Sequence, residues 1–209
     1  VSLQAGSAVI ASGNSAVALE LSSSGATTKG LSLVIDDYLQ VSGNSAQGIK
    51  ASALGDSESV VADVVLGGSV FVNGVDATGI SVSTNSKKTS AGIVVDIADV
   101  LLASGQRAQG LALASQGADA SGALAVTVGA DAVTMGESAI GSELSSSSSS
   151  GSAGQISVDI AGFLVTDADL AIGMRLLTDS STSSGSINTT IGSALSTKGT
   201  TAKGLVVNA

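Results

Sequence analysis

The sequence predicts an all-β fold: a right-handed parallel β-helix, or β-solenoid, of seven coils, with about 31 residues and three strands in each coil. Three observations favour it. A short motif returns at near-constant spacing, apolar residues alternate around it with a period of two, and the composition combines 44% hydrophobic with only 1% aromatic residues. That hydrophobic content excludes disorder. An aliphatic core without aromatic residues indicates a thin, regular structure.

The motif reads SGQRAQGLALAS at 104–115 and returns as SGNSAQGIKAS at 42–52, NGVDATGISVS at 73–83 and KGTTAKGLVVN at 198–208. Its alanine recurs every 30 to 32 residues, at Ala16, Ala46, Ala77, Ala108, Ala139, Ala171 and Ala202. Because three short strands cannot bury a core alone, each repeat must stack on the next, so that every column of residues lines up with itself. We expect right-handed winding, as in other parallel crossover connections.

The first strand of each coil follows from apolar residues spaced by two. Its first inward column is Val1, Leu31, Ala62, Ile93, Leu124, Ile156 and Ile187. After a tight corner, the second strand is predicted to begin with the inward column Val9, Leu39, Val70, Leu101, Ala132, Phe163 and Leu195. The motif then forms a second corner, where Gly110 supplies a positive φ or a close approach, and enters the third strand.

The pattern extends over residues 1–209, which we treat as a single solenoid. Val1 occupies an inward position and the last strand ends just before Ala209, with no evident polar cap. Since solenoids carry polar caps at their ends, we expect this chain to be a fragment, or the ordered part, of a longer rod.

The composition also disfavours several functions. A net charge of -9 with only eight Lys and Arg residues disfavours binding to nucleic acid or to anionic membranes. The chain has no Cys and no His, so it lacks disulfides, thiolate chemistry and the commonest general base and metal ligand. No apolar run reaches about 18 residues, so we expect no membrane insertion by this segment. We expect no cofactor and no enzymatic activity.

The segments VSGNSAQGIKAS (41–52), VNGVDATGISVS (72–83) and ASGQRAQGLALAS (103–115) share the pattern G-x-x-A-x-G-[IL]-x-[AVL], which continues as x-S in the third segment. This pattern resembles the β-helical passenger domains of bacterial autotransporters and related large repeat adhesins, and the resemblance covers essentially the whole chain. It implies export to the extracellular space or the bacterial cell surface, a right-handed β-helix, and roles in adhesion or self-association.

One outward position of the second strand is apolar in four consecutive coils, where polar residues are expected. It holds Phe71, Leu102, Val133 and Leu164. Contiguous exposed apolar residues mark partner surfaces, so the pattern predicts an interface for self-association or for a host or cell-surface ligand. A covering loop, or a misassigned alternation in this strand, would explain the same pattern.

Acidic residues near the first corner offer a catalytic alternative: Asp36, Asp37, Asp96 and Asp99. Asp37 and Asp99 lie two coils apart, about 9.6 Å by strand spacing, a separation compatible with an inverting glycoside hydrolase. No basic residue shares their columns, however, so we favour solvated corner residues. Calcium-binding nonapeptides and the regular Thr-x-Thr ranks of ice-binding faces are absent from the sequence.

Two charge pairs should join consecutive coils, Glu20 with Lys50 and Glu143 with Arg175. The serine-rich stretches 145–154 and 177–186 are interpreted as flexible spacers, with glycosylation or host contact as alternatives.

The expected function is an extracellular structural or adhesive rod that acts through an extended face. The alternatives are a subunit of a homopolymeric extracellular filament and, more distantly, a β-helical carbohydrate-active enzyme.

Overall fold

The computed structural model describes residues 1–27, 30–59 and 61–209, and these residues form strands and turns but no helix. The strands build three parallel seven-stranded sheets, and each strand pairs with the equivalent strand about 31 residues away. The protein is therefore a β-solenoid of about seven turns, as the sequence predicts. The handedness of its winding stays a prediction.

Each coil contributes one strand to each sheet. The first sheet contains β1 (Ser2–Ala5), β4 (Leu31–Ile35), β7 (Ala62–Leu66), β10 (Ile93–Ile97), β13 (Leu124–Val128), β16 (Ile156–Ile160) and β19 (Ile187–Ile191). The second contains β2 (Val9–Ser12), β5 (Leu39–Ser42), β8 (Val70–Asn73), β11 (Leu101–Ala103), β14 (Ala132–Thr134), β17 (Leu164–Asp167) and β20 (Leu195–Lys198). The third contains β3 (Val17–Thr27), β6 (Gln47–Glu58), β9 (Thr78–Ser86), β12 (Gln109–Gly117), β15 (Ile140–Ser148), β18 (Ile172–Ser180) and β21 (Lys203–Asn208).

The first sheet has the predicted register. Ile93 pairs with Ala62 on one side and with Leu124 on the other, and Leu124 pairs in turn with Ile156. All four side chains are buried. Stacking identical positions in this way gives each aliphatic side chain a neighbour above and below, and full burial of such a side chain stabilises the fold by about 1.5–3 kcal/mol.

The second sheet corrects one prediction. In the sixth coil the inward residue is Leu164, which is 1% exposed, whereas Phe163 is 46% exposed at the corner. Leu164 pairs with Ala132, and Val165 pairs with Val133. The extra residue of this coil lies before β16, between Ser148 and Ile156, so every later position shifts by one.

At the second corner Gly110 makes a close approach to the next coil, which is one of the two roles predicted for it. The positive φ belongs to the residue just before the motif alanine, with values of 53–59° at Ser15, Ser45, Asp76, Arg107, Ser138, Leu170 and Thr201. The glycine two residues after the alanine serves close approach instead. At Gly79 a Cβ atom would lie 2.6 Å from the carbonyl oxygen of Gly110 and 2.7 Å from Cγ2 of Val72, so a side chain there would clash with the next coil and with the second sheet.

The serine-rich edge is ordered, which contradicts its interpretation as flexible spacers. Residues 145–148 and 177–180 belong to strands β15 and β18. Their inward hydroxyl groups continue the aliphatic columns as a buried ladder formed by Thr84, Ser115, Ser146 and Thr178.

Hydrogen bonds from this ladder fix the third corner. Ser146 Oγ accepts a hydrogen bond from the backbone N–H of Gly154 at 2.9 Å and donates to the carbonyl oxygen of Gly122 at 3.1 Å. Thr84 Oγ1 donates to the carbonyl oxygen of Ala91 at 2.8 Å. The hydroxyl groups therefore satisfy the backbone where the chain leaves the sheet, because a buried polar group without a partner is costly.

Candidate interaction face

The outward side of the second sheet, here called the second-sheet face, carries the predicted apolar stripe with one change of membership. The stripe consists of Phe71, Leu102, Val133 and Val165, which pair with one another in consecutive coils. Phe71 is 38% exposed, and the other three are partly buried by their neighbours. Leu164, the predicted fourth member, lies in the core, so its assignment to an interface was wrong.

The stripe arises because inward positions alternate with outward ones along each strand. Val70 and Val72 face the core on either side of Phe71, and both are fully buried. The same alternation places Met135 outward, two residues beyond Val133, and it is also exposed. The apolar surface is therefore widest at the fifth coil.

An aromatic pair lies at the second and third coils. The rings of Tyr38 and Phe71 meet edge to face, with centroids 6.3 Å apart and an interplanar angle of 62°. Tyr38 is in the corner just before β5, and Phe71 is in β8 of the next coil. Sequence reasoning missed this pair, because the two residues are separated by a whole coil and only one of them lies in a strand.

A shallow groove of about 280 Å³ lies beside Phe71. Its outward lining combines Phe71 and Leu102 with the polar residues Gln40, Ser42, Asn73 and Ser104. Gln40 pairs in register with Phe71, and Ser42 pairs with Asn73. The groove is thus two ranks of outward side chains wide, and it spans the second to fourth coils.

Ion pairs join consecutive coils at the second corner and on the third sheet. Arg107 contacts both carboxylate oxygens of Asp76 at 2.6 Å, at the second corner. This hydrogen bonding lowers the pKa of Asp76 and raises the pKa of Arg107. The two predicted pairs are confirmed, with 2.8 Å between Glu20 and Lys50 and 3.0 Å between Glu143 and Arg175.

Two further pairs follow the same rule, Asp56 with Lys87 and Asp167 with Lys198. In all five pairs the acid precedes the base by one coil. Since all of these side chains are substantially exposed, the pairs help to set the register between coils more than they stabilise the fold.

The candidate acidic residues do not converge. Asp37 and Asp99 are exposed at the first corner, with Gly68 in the coil between them, and Asp99 accepts a hydrogen bond from Ser69 Oγ at 2.8 Å. Asp96 lies on the outward side of the first sheet, between Val65 and Thr127. Within residues 1–27, 30–59 and 61–209, no three acidic side chains are grouped so that they could hold a metal ion.

The described part of the chain has no helix long and apolar enough to cross a membrane. The chain matches no family model, and comparison with curated proteins and with solved structures finds no significant match either.

Proposed function

We propose that this protein is an extracellular structural or adhesive rod that acts through the second-sheet face, by surface attachment or by self-association. The observation that supports this most is the apolar stripe of Phe71, Leu102, Val133 and Val165. The core does not need it, because the inward columns of the same strands already fill the interior. Apolar side chains repeated in register on an outer surface are characteristic of a partner surface.

The geometry of the stripe suits an extended contact. Neighbouring strands are about 4.8 Å apart, so four coils place a line of apolar groups roughly 14 Å long on one face. Ile10 extends the same column in the first coil, while Gln40 interrupts it in the second. An interface of this kind gains stability by repetition along the rod, and each added coil contributes a similar small contact.

The resemblance to autotransporter passengers and repeat adhesins supports an extracellular location, which belongs to the proposal. The absence of Cys is compatible with export of the chain in an extended form. A solenoid whose outer residues vary freely over a constant interior is also well suited to display one face to a partner.

The test is a double substitution, Leu102→Lys with Val133→Lys. The matched control is Val94→Lys with Ala125→Lys, which adds the same charge in the same two coils but on the outward side of the first sheet. Sedimentation velocity measures self-association, and a bead-to-cell adhesion assay measures attachment. We expect the second-sheet variant to lose whichever of these activities the native protein shows and the control to retain it, with both variants keeping the circular dichroism spectrum of the native protein.

Equal association and attachment of the native protein and the second-sheet variant would contradict the proposal. Electron microscopy of the native protein separates the two modes of action. Single rods that attach to cells favour an adhesin, whereas fibres that disappear in the Leu102→Lys, Val133→Lys variant favour the filament subunit.

A further inference from the structure

We propose that the groove beside Phe71 binds a neutral oligosaccharide, with Phe71 as a stacking surface and with Gln40 and Asn73 as hydrogen-bonding groups. This inference rests on the proposed function, because the groove is part of the second-sheet face. It adds the chemical class of a ligand for one end of that face.

Aromatic residues are rare in this chain, and Phe71 places one of them in the groove. The chain has two Phe and one Tyr in 209 residues. Phe71 lines this groove, and the ring of Tyr38 contacts it. Phe71 points outward and stays exposed, so the core does not account for its size. Tyr38 contacts it edge to face and restricts the orientation of its ring. An exposed ring with a restricted orientation offers a flat π face to the C–H groups of a sugar ring.

Beside the ring of Phe71, two side-chain amides have unused hydrogen-bonding capacity. Gln40 in β5 pairs in register with Phe71 in β8. Asn73 lies two residues after Phe71 in β8, so it is on the same side of the sheet. Neither side-chain amide has a hydrogen-bond partner within the described part of the chain. By contrast, Gln106 and Gln109 donate to Glu137 and Glu143 of the next coil. Amide groups both donate and accept, as sugar hydroxyl groups do.

The charge and the size of the groove also favour a neutral sugar. Among the residues that the structure describes, no charged side chain lines the groove, and the net charge of -9 repels anions. The volume of about 280 Å³ is at the small end for a ligand site and accommodates one or two sugar rings. An apolar partner would leave Gln40 and Asn73 without hydrogen bonds, which disfavours it. A neutral, hydroxyl-rich ligand with one apolar face satisfies all the lining groups together.

Tyr38 provides a built-in reporter, since it is the sole tyrosine of a chain without tryptophan. Its fluorescence can be titrated with cellohexaose, maltohexaose and chitohexaose, and with an anionic heparin hexasaccharide as the charge control. The side-chain amide resonances of Gln40 and Asn73 give a second, local readout by NMR. We expect at least one neutral probe to shift all three signals with one saturation curve, and the anionic probe to shift none. Among the three neutral probes, only chitohexaose carries N-acetyl groups. Its affinity relative to the other two therefore distinguishes binding of amino sugars from binding of plain glucans.

The variants are Phe71→Ala and Asn73→Ala, both at outward positions. We expect Phe71→Ala to weaken binding about five- to tenfold, and Asn73→Ala to weaken it severalfold. Phe163→Ala is the matched control, because it removes the other phenylalanine, which is exposed at a corner of the sixth coil. It should bind as the native protein does.

Three results would overturn the saccharide site: no saturable shift with any neutral probe, binding of the anionic probe alone, or equal weakening by Phe163→Ala and Phe71→Ala. Loss of the saccharide site leaves the proposed function standing if Leu102→Lys with Val133→Lys still abolishes association or attachment. Conversely, saturable sugar binding by a protein that neither associates nor attaches would contradict the proposed function and keep this site.

Discussion

The first and second sheets share the same interior design, but their outer faces differ. Inward, both sheets stack aliphatic residues in register, such as Ile93 in the first and Leu101 in the second. Outward, Asp63, Asp96 and Asp159 interrupt the columns of the first sheet. The second sheet instead keeps its apolar stripe through four coils. The interior thus specifies the solenoid, while each outer face is free to vary, and the face that varies toward apolar residues is the candidate for function.

The largest expected effect concerns the interiors, which should be equivalent. Ile93→Ala and Leu101→Ala each remove a fully buried side chain and leave a cavity between coils, so each should lower the free energy of unfolding by about 2–5 kcal/mol. Chemical denaturation measures both. Outward Val94→Ala is the control and should change stability by less than about 0.5 kcal/mol. A small effect in only one of the two sheets would show that their interiors are not alike.

A smaller effect is expected in the third sheet, where it tests whether the buried hydroxyl ladder stabilises the fold as the aliphatic interior does. Ser146→Ala removes the shorter of the two hydrogen bonds from the Gly154 N–H, which also donates to Ser121 Oγ, and removes the donor to the Gly122 carbonyl. We expect a loss of about 1–2 kcal/mol, since the remaining groups stay buried with fewer partners. Ser147→Ala, one residue away and facing outward, should be nearly neutral. Equal stability of the two variants would mean that the ladder is only a solvated edge.

Thr166 allows a comparison between a buried hydroxyl group without a partner and the hydrogen-bonded hydroxyl groups of the ladder. Its side chain is buried in the second sheet, and its Oγ1 has no hydrogen-bond partner among the described residues. Earlier coils place Val41 and Val72 in this column. Thr166→Val should therefore stabilise the fold by about 1 kcal/mol, because it removes an unsatisfied hydroxyl group without changing the shape. A lower melting temperature for this variant would contradict the assignment.

The smallest expected effect concerns the ion pair at the second corner. Hydrogen bonding to Arg107 lowers the pKa of Asp76 in the folded protein. The pair therefore contributes stability above the ordinary pKa of aspartate, near 3.9, and this contribution is lost as the pH falls through the lower folded value. Asp76→Asn should lower the melting temperature slightly at pH 7 and should flatten its fall below pH 4. An unchanged acid profile would remove the pair from the account.

Much of the fold could be predicted, because every coil shows the same alternation of buried and exposed residues. An error in one coil is therefore visible when that coil is compared with the others. The misplacement of Leu164 came from carrying a 31-residue step across a 32-residue coil. A local rule would have corrected it. The first inward position of the second strand comes four positions after the last inward position of the first strand, as in Ile97 to Leu101 and Ile160 to Leu164.

The buried hydroxyl ladder and the groove were harder to predict. Serine and threonine usually indicate solvent, so the serine-rich segments suggested spacers. The alternation of inward and outward residues could have identified the buried hydroxyl groups. Ser115 and Ser146 follow the inward Leu113 and Leu144 by two residues, so they also point inward. The Tyr38–Phe71 contact depends on how the first corner directs a side chain toward the next coil. Neither spacing nor composition contains that information.

We propose that the second-sheet face carries the function and that the first-sheet face does not. Because the chain has no cysteine, Leu102→Cys and Val94→Cys each introduce a single reactive site on one face of the fourth coil. Each variant is coupled to a bulky polyethylene glycol maleimide, and association and cell attachment are measured before and after coupling. We expect coupling at position 102 to abolish them and coupling at position 94 to leave them unchanged. Equal loss, or equal retention, at the two positions would contradict it.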